Sequence, residues 1–435
     1  MKRIIIIVLA LAVVLGFIFW RFGPNLFEGT NMQKGPVTIT YWGLWEDENL
    51  IKPLISDFES KNPNIKINYV RQSSTNYRTR VQTQIREGVG PDVFMIHNSW
   101  PLMFSGDLAA APVTVMNLAE FKSLYFPIAE DSFVKNNSIY GVPVEIDGLA
   151  LFYNEELLQA AGVGVPRNWD EFIDGAVKMT VRDSSGQIKT AGAALGATGN
   201  IDHWSDIVGL LLLQQPDVNL ESPNSPEVAD IFRFYTEFVT DPRKKTWDQT
   251  LPSSTQMFAQ GRLAFYFAPS WRAHELRQIN QNLQFKTTSV PQLSGRKVGW
   301  GSFWGVGVSA KSKNTEAAWK FAKYLGSAEA QKLIYTQAAQ VRLFGMPYAV
   351  VSLAPEIQQD PLVGSFVAQG PIYKFWYLSS NTFDNGMNDE MIKYYEDGIN
   401  ATLQGQDSQV ALQTIEKGVQ QVLQKYTQST TSSPQ

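Results

Sequence analysis

The chain opens on its least polar stretch. Lys2 and Arg3 precede an unbroken apolar run from Ile4 to Trp20, and Arg21 restores charge. As a helix the run rises about 26 Å, slightly short of the roughly 30 Å hydrocarbon core of a bilayer. It exceeds the usual core of a cleaved secretory signal, and no small-x-small cleavage site follows Trp20 closely. Residues 1–22 therefore read as an uncleaved membrane anchor, with a cleaved signal peptide as the alternative. Lys2 and Arg3 hold the start inside, so the remainder is exported. Residues 23–36 form a Gly- and Pro-bearing polar linker. No second long apolar stretch follows; Val208 to Leu213 is too short to cross a membrane and reads as a buried helix.

From Val37 the period changes. Val37 to Trp42 is β-rich and predicts a strand. Glu48 to Lys61 carries Leu50, Ile51, Leu54, Ile55 and Phe58 at helical spacing, and Asn62-Pro63 stops it. Ile65 to Val70 alternates as a second strand, Tyr77–Glu87 reads as a helix, and Gly88-Val-Gly-Pro91 turns the chain into a strand from Asp92 to Ile96. Strand–helix–strand–helix–strand predicts a parallel α/β sheet, with ligands bound beyond the carboxyl ends of its strands. Trp42-Gly-Leu-Trp45-Glu46 and His97-Asn98-Ser99-Trp100 lie at such ends. Residues from about 157 to 262 read as largely helical, with helices starting at Trp169 and spanning Pro226–Phe238. Leu263 to Phe267 and Phe303 to Val308 are strand-like returns. Thr315–Leu325 is an amphipathic helix, the last third is again helical, and Thr427–Gln435 is a Ser/Thr-rich tail expected to be disordered.

Length and composition narrow the classes. A chain of 435 residues suits two domains, and 44% hydrophobic with 18% charged residues is a folded globular balance. The net charge of -4 lacks the basic excess that nucleic-acid binding requires. The absence of cysteine removes disulfides, thiolate nucleophiles, Fe–S clusters, cysteine-bound zinc and lipid attachment at an N-terminal cysteine. With 12 Trp, 16 Tyr and 25 Phe, most rings must serve the core, but those in polar or Gly-rich strand ends need another explanation.

Enzymatic motifs are missing. His97, His203 and His274 are far apart with no HExxH spacing, so neither a metal centre nor a cofactor is expected. There is no GxxxxGK[ST] loop and no GxSxG elbow, and Gly162-Val-Gly164 and Gly305-Val-Gly307 lack the third glycine of a dinucleotide fingerprint. Glu145 and Asp147, two apart in Val142-Pro-Val-Glu-Ile-Asp-Gly148, project from one face of an extended chain about 6.5–7 Å apart, near the lower limit for an inverting glycosidase. A same-strand pair sits side by side, whereas glycoside hydrolysis needs carboxyls flanking the bond. Acceptance of ligand hydroxyls is therefore the favoured role, and a tethered glycosidase the lesser alternative.

Tyr140-Gly-Val-Pro143, Asp147 to Leu158, Ala161-Gly162 and Trp169-Asp-Glu-Phe172 together resemble the signature of the extracellular solute-binding proteins of ABC importers, the sugar-binding ones above all. Gly90-Pro-Asp-Val93, Phe258 to Ala264, Pro269-Ser-Trp271, and Val306 to Ala310 with Asn314–Leu325 extend the likeness in the same order over about residues 37–426. The resemblance implies a type II periplasmic-binding-protein clamp: two α/β lobes joined by hinge strands that close over a ligand. Lobe 1 would be 37–145 plus 265–326 and lobe 2 150–262 plus 328–426, with crossings near Glu145–Tyr153, Arg262–Phe267 and Gly326–Leu333. The implied function is extracytoplasmic capture of a mono- or oligosaccharide and delivery to membrane permease subunits. A tethered ligand sensor with the same clamp is the alternative, and the protein is expected to be a monomer.

Carried over residue by residue, the likeness places Trp45 and Glu46 after the first strand, and Asn98, Ser99 and Trp100 where relatives hold ligand hydroxyls. Asp147 falls at an acidic sugar-binding position, with Glu145 beside it. Trp204 and Trp271 stand where aromatics stack on the sugar; Trp304, Trp300, Tyr373 and Trp376 are further candidates. The chemistry is coherent, because rings cover the C–H faces of a pyranose while Asp, Asn and Glu meet its hydroxyl rim. For each Trp the alternative is core packing. On the clamp reading, Trp100, Asp147 and Trp271 line one inter-lobe groove.

Overall fold

The computed structural model describes residues 36–428 except 294. The anchor, most of the linker and residues 429–435 of the expected tail lie outside the described residues. Among those described, no helix is long and apolar enough to cross a membrane.

Two five-stranded sheets organise the chain. The first has Val37–Gly43 between Ile65–Arg71 and Val93–His97, all parallel, as the alternating strand and helix signals predict. Trp304–Val308 then pairs antiparallel with both Val93–His97 and Gly141–Pro143. Val93–His97 is buried along its whole length, which is why its sequence is a continuous apolar run and not an alternation. Helix Glu48–Lys61 starts on Asp47, whose carboxylate accepts from the Asn49 amide at 3.0 Å, and buries Ile51, Leu54 and Phe58 against the sheet side.

The second sheet runs Phe285–Thr288, Ala150–Asn154, Leu263–Ala268, Ile188–Ala193 and Val181–Arg182. Two of its strands lie inside the region read as helical. Ile188–Ala193 carries Lys-Thr-Ala-Gly-Ala, a composition poor in β-formers, and tertiary packing overrides it. Gly192 is the reason the strand fits: a Cβ there would stand 1.7 Å from the Ala176 carbonyl oxygen on helix Trp169–Met179. Helix Trp204–Gln214 is buried on nearly every position, as its apolar centre suggests. Helices Pro226–Thr240, Met387–Leu403 and Ser408–Gln428 pack together, the first two also against helix Trp204–Gln214.

Strand pairing corrects the lobe boundaries implied by the resemblance. Leu263–Ala268 and Phe285–Thr288 both hydrogen-bond to Ala150–Asn154, so residues 265–288 belong to the second lobe, not the first. Helix Ala328–Ala338, assigned to the second lobe, sits on the first: Lys61 of helix Glu48–Lys61 pairs with Glu329, and Gln331 donates to the Pro143 carbonyl at 3.3 Å. The repeated strand–helix pattern marks elements but not their sheet, and partner choice is set by long-range pairing. The crossings that result are about residues 144–149, 299–303 and 344–350. They are tied to one another: Leu149 donates to the Trp300 carbonyl at 2.9 Å, Ser302 to the Asp147 carbonyl at 3.0 Å, and Ile146 to the Pro347 carbonyl at 2.9 Å. These segments form the floor between the lobes.

Candidate functional site

A cavity of about 340 Å³ opens above that floor, within the range of small-ligand sites. Trp45 and Glu46 enter it from the carboxyl end of Val37–Gly43, Trp304 from the start of its strand, and Glu145 and Asp147 from the first crossing. Trp271, Ser270 and His274 come from the turn and helix after Leu263–Ala268; Arg342 comes from the turn after helix Ala328–Ala338 and Met346 from the third crossing; Asn381 and Phe383 come from the second lobe. The corrected boundary matters here, because it sets Trp45 and Trp271 on opposite lobes. A recess of about 50 Å³, lined by His97, His203, Asp206, Trp300, Ser302 and Ser380, shares Glu145, Asp147, Trp271, Trp304 and Asn381 with the cavity.

The aromatic walls differ in what they offer. Trp45 is 42% exposed and Trp271 41%, whereas Trp304 is half-buried with its edge contacts used. Trp304 meets Trp45 at 5.8 Å, His97 at 5.2 Å and Trp100 at 5.1 Å between ring centroids, each near perpendicular. Arg272 lies 4.4 Å from the Trp271 ring centroid and pairs with Glu275. Two large indoles, each about two-fifths exposed in one cavity lining, leave apolar surface that a ligand can cover.

The polar floor is dominated by carboxyls. Asp147 accepts from the Ser270 amide at 3.0 Å, the Ser270 hydroxyl at 2.8 Å and the Gly148 amide at 2.8 Å, which fixes the turn carrying Trp271 to the hinge. Burial pushes its pKa up to about 7 against the pull of those donors. Glu145 has one acceptor contact, 3.3 Å from the Trp304 amide. Burial first, and then the neighbouring Asp147 charge, push its pKa up to about 8. Glu46 is held by Arg342 at 3.2 Å. Burial lowers His97 to about 3, its ring held between the Ser99 and Ser302 hydroxyls at 2.8 and 3.1 Å. Burial, followed by the charge of Arg342, lowers His274 to about 4. Both rings are neutral at physiological pH.

These shifts predict a stability signature. Glu145 and Asp147 hold their protons to higher pH in the folded chain than in the unfolded one. Their contribution is therefore fully present below about pH 4 and is lost as pH rises towards about 8. In the ligand-free protein, Glu145→Gln should melt close to wild type near pH 5 and above it near pH 9, by roughly 1–2 kcal/mol equivalent. Thermal melts of both proteins across that range check it; a difference independent of pH contradicts it. Asp147→Ala leaves the buried Ser270 and Gly148 donors without an acceptor and should cost about 2–4 kcal/mol in denaturant titration.

Of the candidates from sequence, Trp45, Glu46, Glu145, Asp147, Trp271 and Trp304 line the cavity together. Trp100 does not join Asp147 and Trp271 there. It is fully buried behind Trp304, stacked on Phe104 at 5.9 Å. Asn98 is spent on structure, accepting from the Phe303 amide at 3.1 Å, and the Ser99 hydroxyl bridges His97 and Asn388. Asn98 and Ser99 border a different space, of about 570 Å³, reached by Phe375 and Tyr377. Trp204 is the buried first residue of its helix and lines neither the cavity nor the recess. Trp300 and Tyr373 are fully buried; Trp300 backs the wall of the recess and donates to Asp206 at 2.8 Å. Sequence reasoning missed Arg342, His274, Asn381, Phe383 and Asp206. Asn381 and Phe383 stand at φ 56° and 53°, a left-handed backbone that no sequence pattern marks for Phe. Among the described residues, no cluster of His, Cys, Asp and Glu could hold a metal ion.

Two α/β lobes, hydrogen-bonded crossings and a ring-walled cavity between them define a clamp-type binding protein. The chain belongs to the bacterial extracellular solute-binding protein family, whose model matches residues 43–332. The chain is 24% identical over 281 residues to a Brucella abortus binding protein, a match covering 62% of this chain and 66% of that one, just under two thirds of its length. It is 24% identical over 330 residues to the multiple sugar-binding protein of Streptococcus mutans, covering 72% of this chain and 76% of that protein. The solved sugar-binding protein MalE of Xanthomonas citri superposes with a TM-score of 0.73 at 19% identity, over 92% of this chain and all of the other, and so shares the two-lobed fold.

Proposed function

We propose that this protein captures a mono- or oligosaccharide outside the cytoplasm and delivers it to the permease subunits of an ABC importer. The observation that carries this is the placement of Trp45 and Trp271, each partly exposed, on opposite lobes above the Glu145 and Asp147 floor. Flat rings and carboxyl oxygens are the pair of features a pyranose requires, one for its C–H faces and one for its hydroxyls. The sugar-binding relatives support the same class. A ligand touching both lobes makes its full set of contacts only when they are closed, so it shifts the population towards closure, the state a membrane partner reads. The apolar run Ile4 to Trp20 tethers the monomeric clamp to the cytoplasmic membrane. No bond is made or broken.

The test is a thermal-shift screen of the full chain against mono- and oligosaccharides. A ligand bound only by the native state raises the melting temperature, with a stabilisation that grows as the logarithm of its concentration over its dissociation constant. At least one saccharide should do so at submillimolar concentration. A screen in which none does, while a peptide or an amino acid does, contradicts the reading.

A further inference from the structure

The walls of this cavity are more acidic than a neutral sugar needs. Glu46, Glu145, Asp147 and Asp206 line the cavity and its recess. Among the described residues of both linings, Arg342 is the one Lys or Arg, and it is already paired with Glu46. Asp206 accepts from the Trp300 indole at 2.8 Å and the Ser380 amide at 3.2 Å with His203 Nδ1 3.6 Å away, and Asp147 accepts from Ser270 and Gly148, so both have their partners within the protein. Glu145 is the exception. One of its oxygens makes the 3.3 Å contact to Trp304 N–H and the other has no hydrogen bond, although the group sits in the cavity wall. His97 and His274 are neutral and bring no compensating charge, while His203 faces Asp206, with Nδ1 3.6 Å from its carboxylate, and accepts from Arg272 at Nε2. Arg272 itself stands outside both linings, matched by Glu275.

A carboxyl pair that lacks a cation in the protein is completed by one from the ligand. The rings point the same way, since Trp45, Trp271 and Trp304 line the wall with the carboxyls, and an indole face attracts an ammonium as well as a C–H surface; Arg272 lies over one face of Trp271, which leaves the other for a ligand. Burial favours the protonated forms of Glu145 and Asp147 in the empty cavity, so a hydroxyl-only sugar can leave them neutral, whereas an ammonium draws Glu145 into its ionised form and gains a charge-assisted contact in a weakly screened space. We infer that the natural ligand is an amino saccharide, whose ammonium binds between Glu145 and Asp147 while its ring lies against Trp271. This rests on the saccharide reading above and narrows it to a charged subclass.

The experiment is calorimetric titration of the full chain with matched trios: glucosamine, galactosamine and mannosamine, their neutral parents, and their N-acetyl forms, with the β-1,4-linked trimers of the first series. The best amino saccharide should bind at least about tenfold tighter than both its hydroxyl and its N-acetyl counterpart, as expected for one charge-assisted contact in a partly buried site. In Glu145→Gln that ratio should fall to within about threefold. A neutral saccharide that binds as tightly as its amine, or more tightly, overturns the inference and leaves the saccharide reading standing. Binding of spermidine with none of any saccharide overturns both. Persistence of the tenfold preference in a folded Glu145→Gln protein also overturns the assignment of the ammonium to Glu145.

Discussion

Gly148→Ala is expected to cost about 3 kcal/mol or more of folding stability, because the added methyl has no space that a rotamer change can open. Its Cβ would stand 2.0 Å from the Trp300 carbonyl oxygen and 3.0 Å from the Gly301 Cα. Both are backbone atoms of the second crossing, held against the first by the Leu149 N–H to Trp300 and the Ser302 N–H to Asp147. Relief requires the crossings to separate, which breaks these bonds and tilts Asp147 away from Ser270. Urea titration with the wild type alongside measures the loss. The same variant should bind any saccharide ligand more weakly than its residual folded fraction explains, since the floor of the cavity is displaced. A protein of wild-type midpoint and affinity would show that the crossings are looser than the close approach of Gly148 and Gly301 implies.

Trp271→Ala should separate binding from stability. The residue is 41% exposed and its covered side rests on Arg272 and His203, so its truncation should cost about 1–2 kcal/mol of unfolding free energy, well below the loss from a fully buried Trp. Affinity for the saccharide hit should nevertheless fall by about 30-fold or more, the effect of deleting an aromatic anchor worth roughly 2 kcal/mol or above. Trp100→Ala supplies the contrast. That ring is fully buried on Phe104 and behind Trp304, and its loss should destabilise the fold by about 3–5 kcal/mol. Calorimetric titration paired with denaturant unfolding separates the two outcomes. Equal losses of affinity and stability in Trp271→Ala would place that ring in the core after all.

Much of the fold was legible because local signals agreed with the global arrangement. The helix at Glu48–Lys61 has its Asp47 cap, its apolar stripe and its Asn62-Pro63 stop within the sequence. The strands Val37–Gly43 and Val93–His97 are strong β-formers beside clear turns. Ile188–Ala193 was hidden because its Gly and Ala are chosen for close approach to helix Trp169–Met179, not for strand propensity. The lobe boundaries failed for a related reason, since Phe285–Thr288 and Ala328–Ala338 are placed by partners more than a hundred residues away.

In the site, position at a strand end located Trp45 and Trp304 but equally selected Trp100, which sits three residues beyond strand Val93–His97 and turns into the core. Exposure separates Trp45 from Trp100, and exposure is not written in a loop of four residues. The carboxyls were legible as a pair, whereas Arg342 and Phe383 were not, because they reach the cavity from connections without periodicity.

The most direct test of the account is the crystal structure of the full chain with its tightest saccharide. The account predicts the sugar in the 340 Å³ cavity, its ring against Trp271 and its polar substituents on Glu145 and Asp147, with Trp45 closing from the opposite lobe. A sugar seated instead in the 570 Å³ space beside Asn98 and Tyr377, with Trp45 and Trp271 still bare, would contradict it.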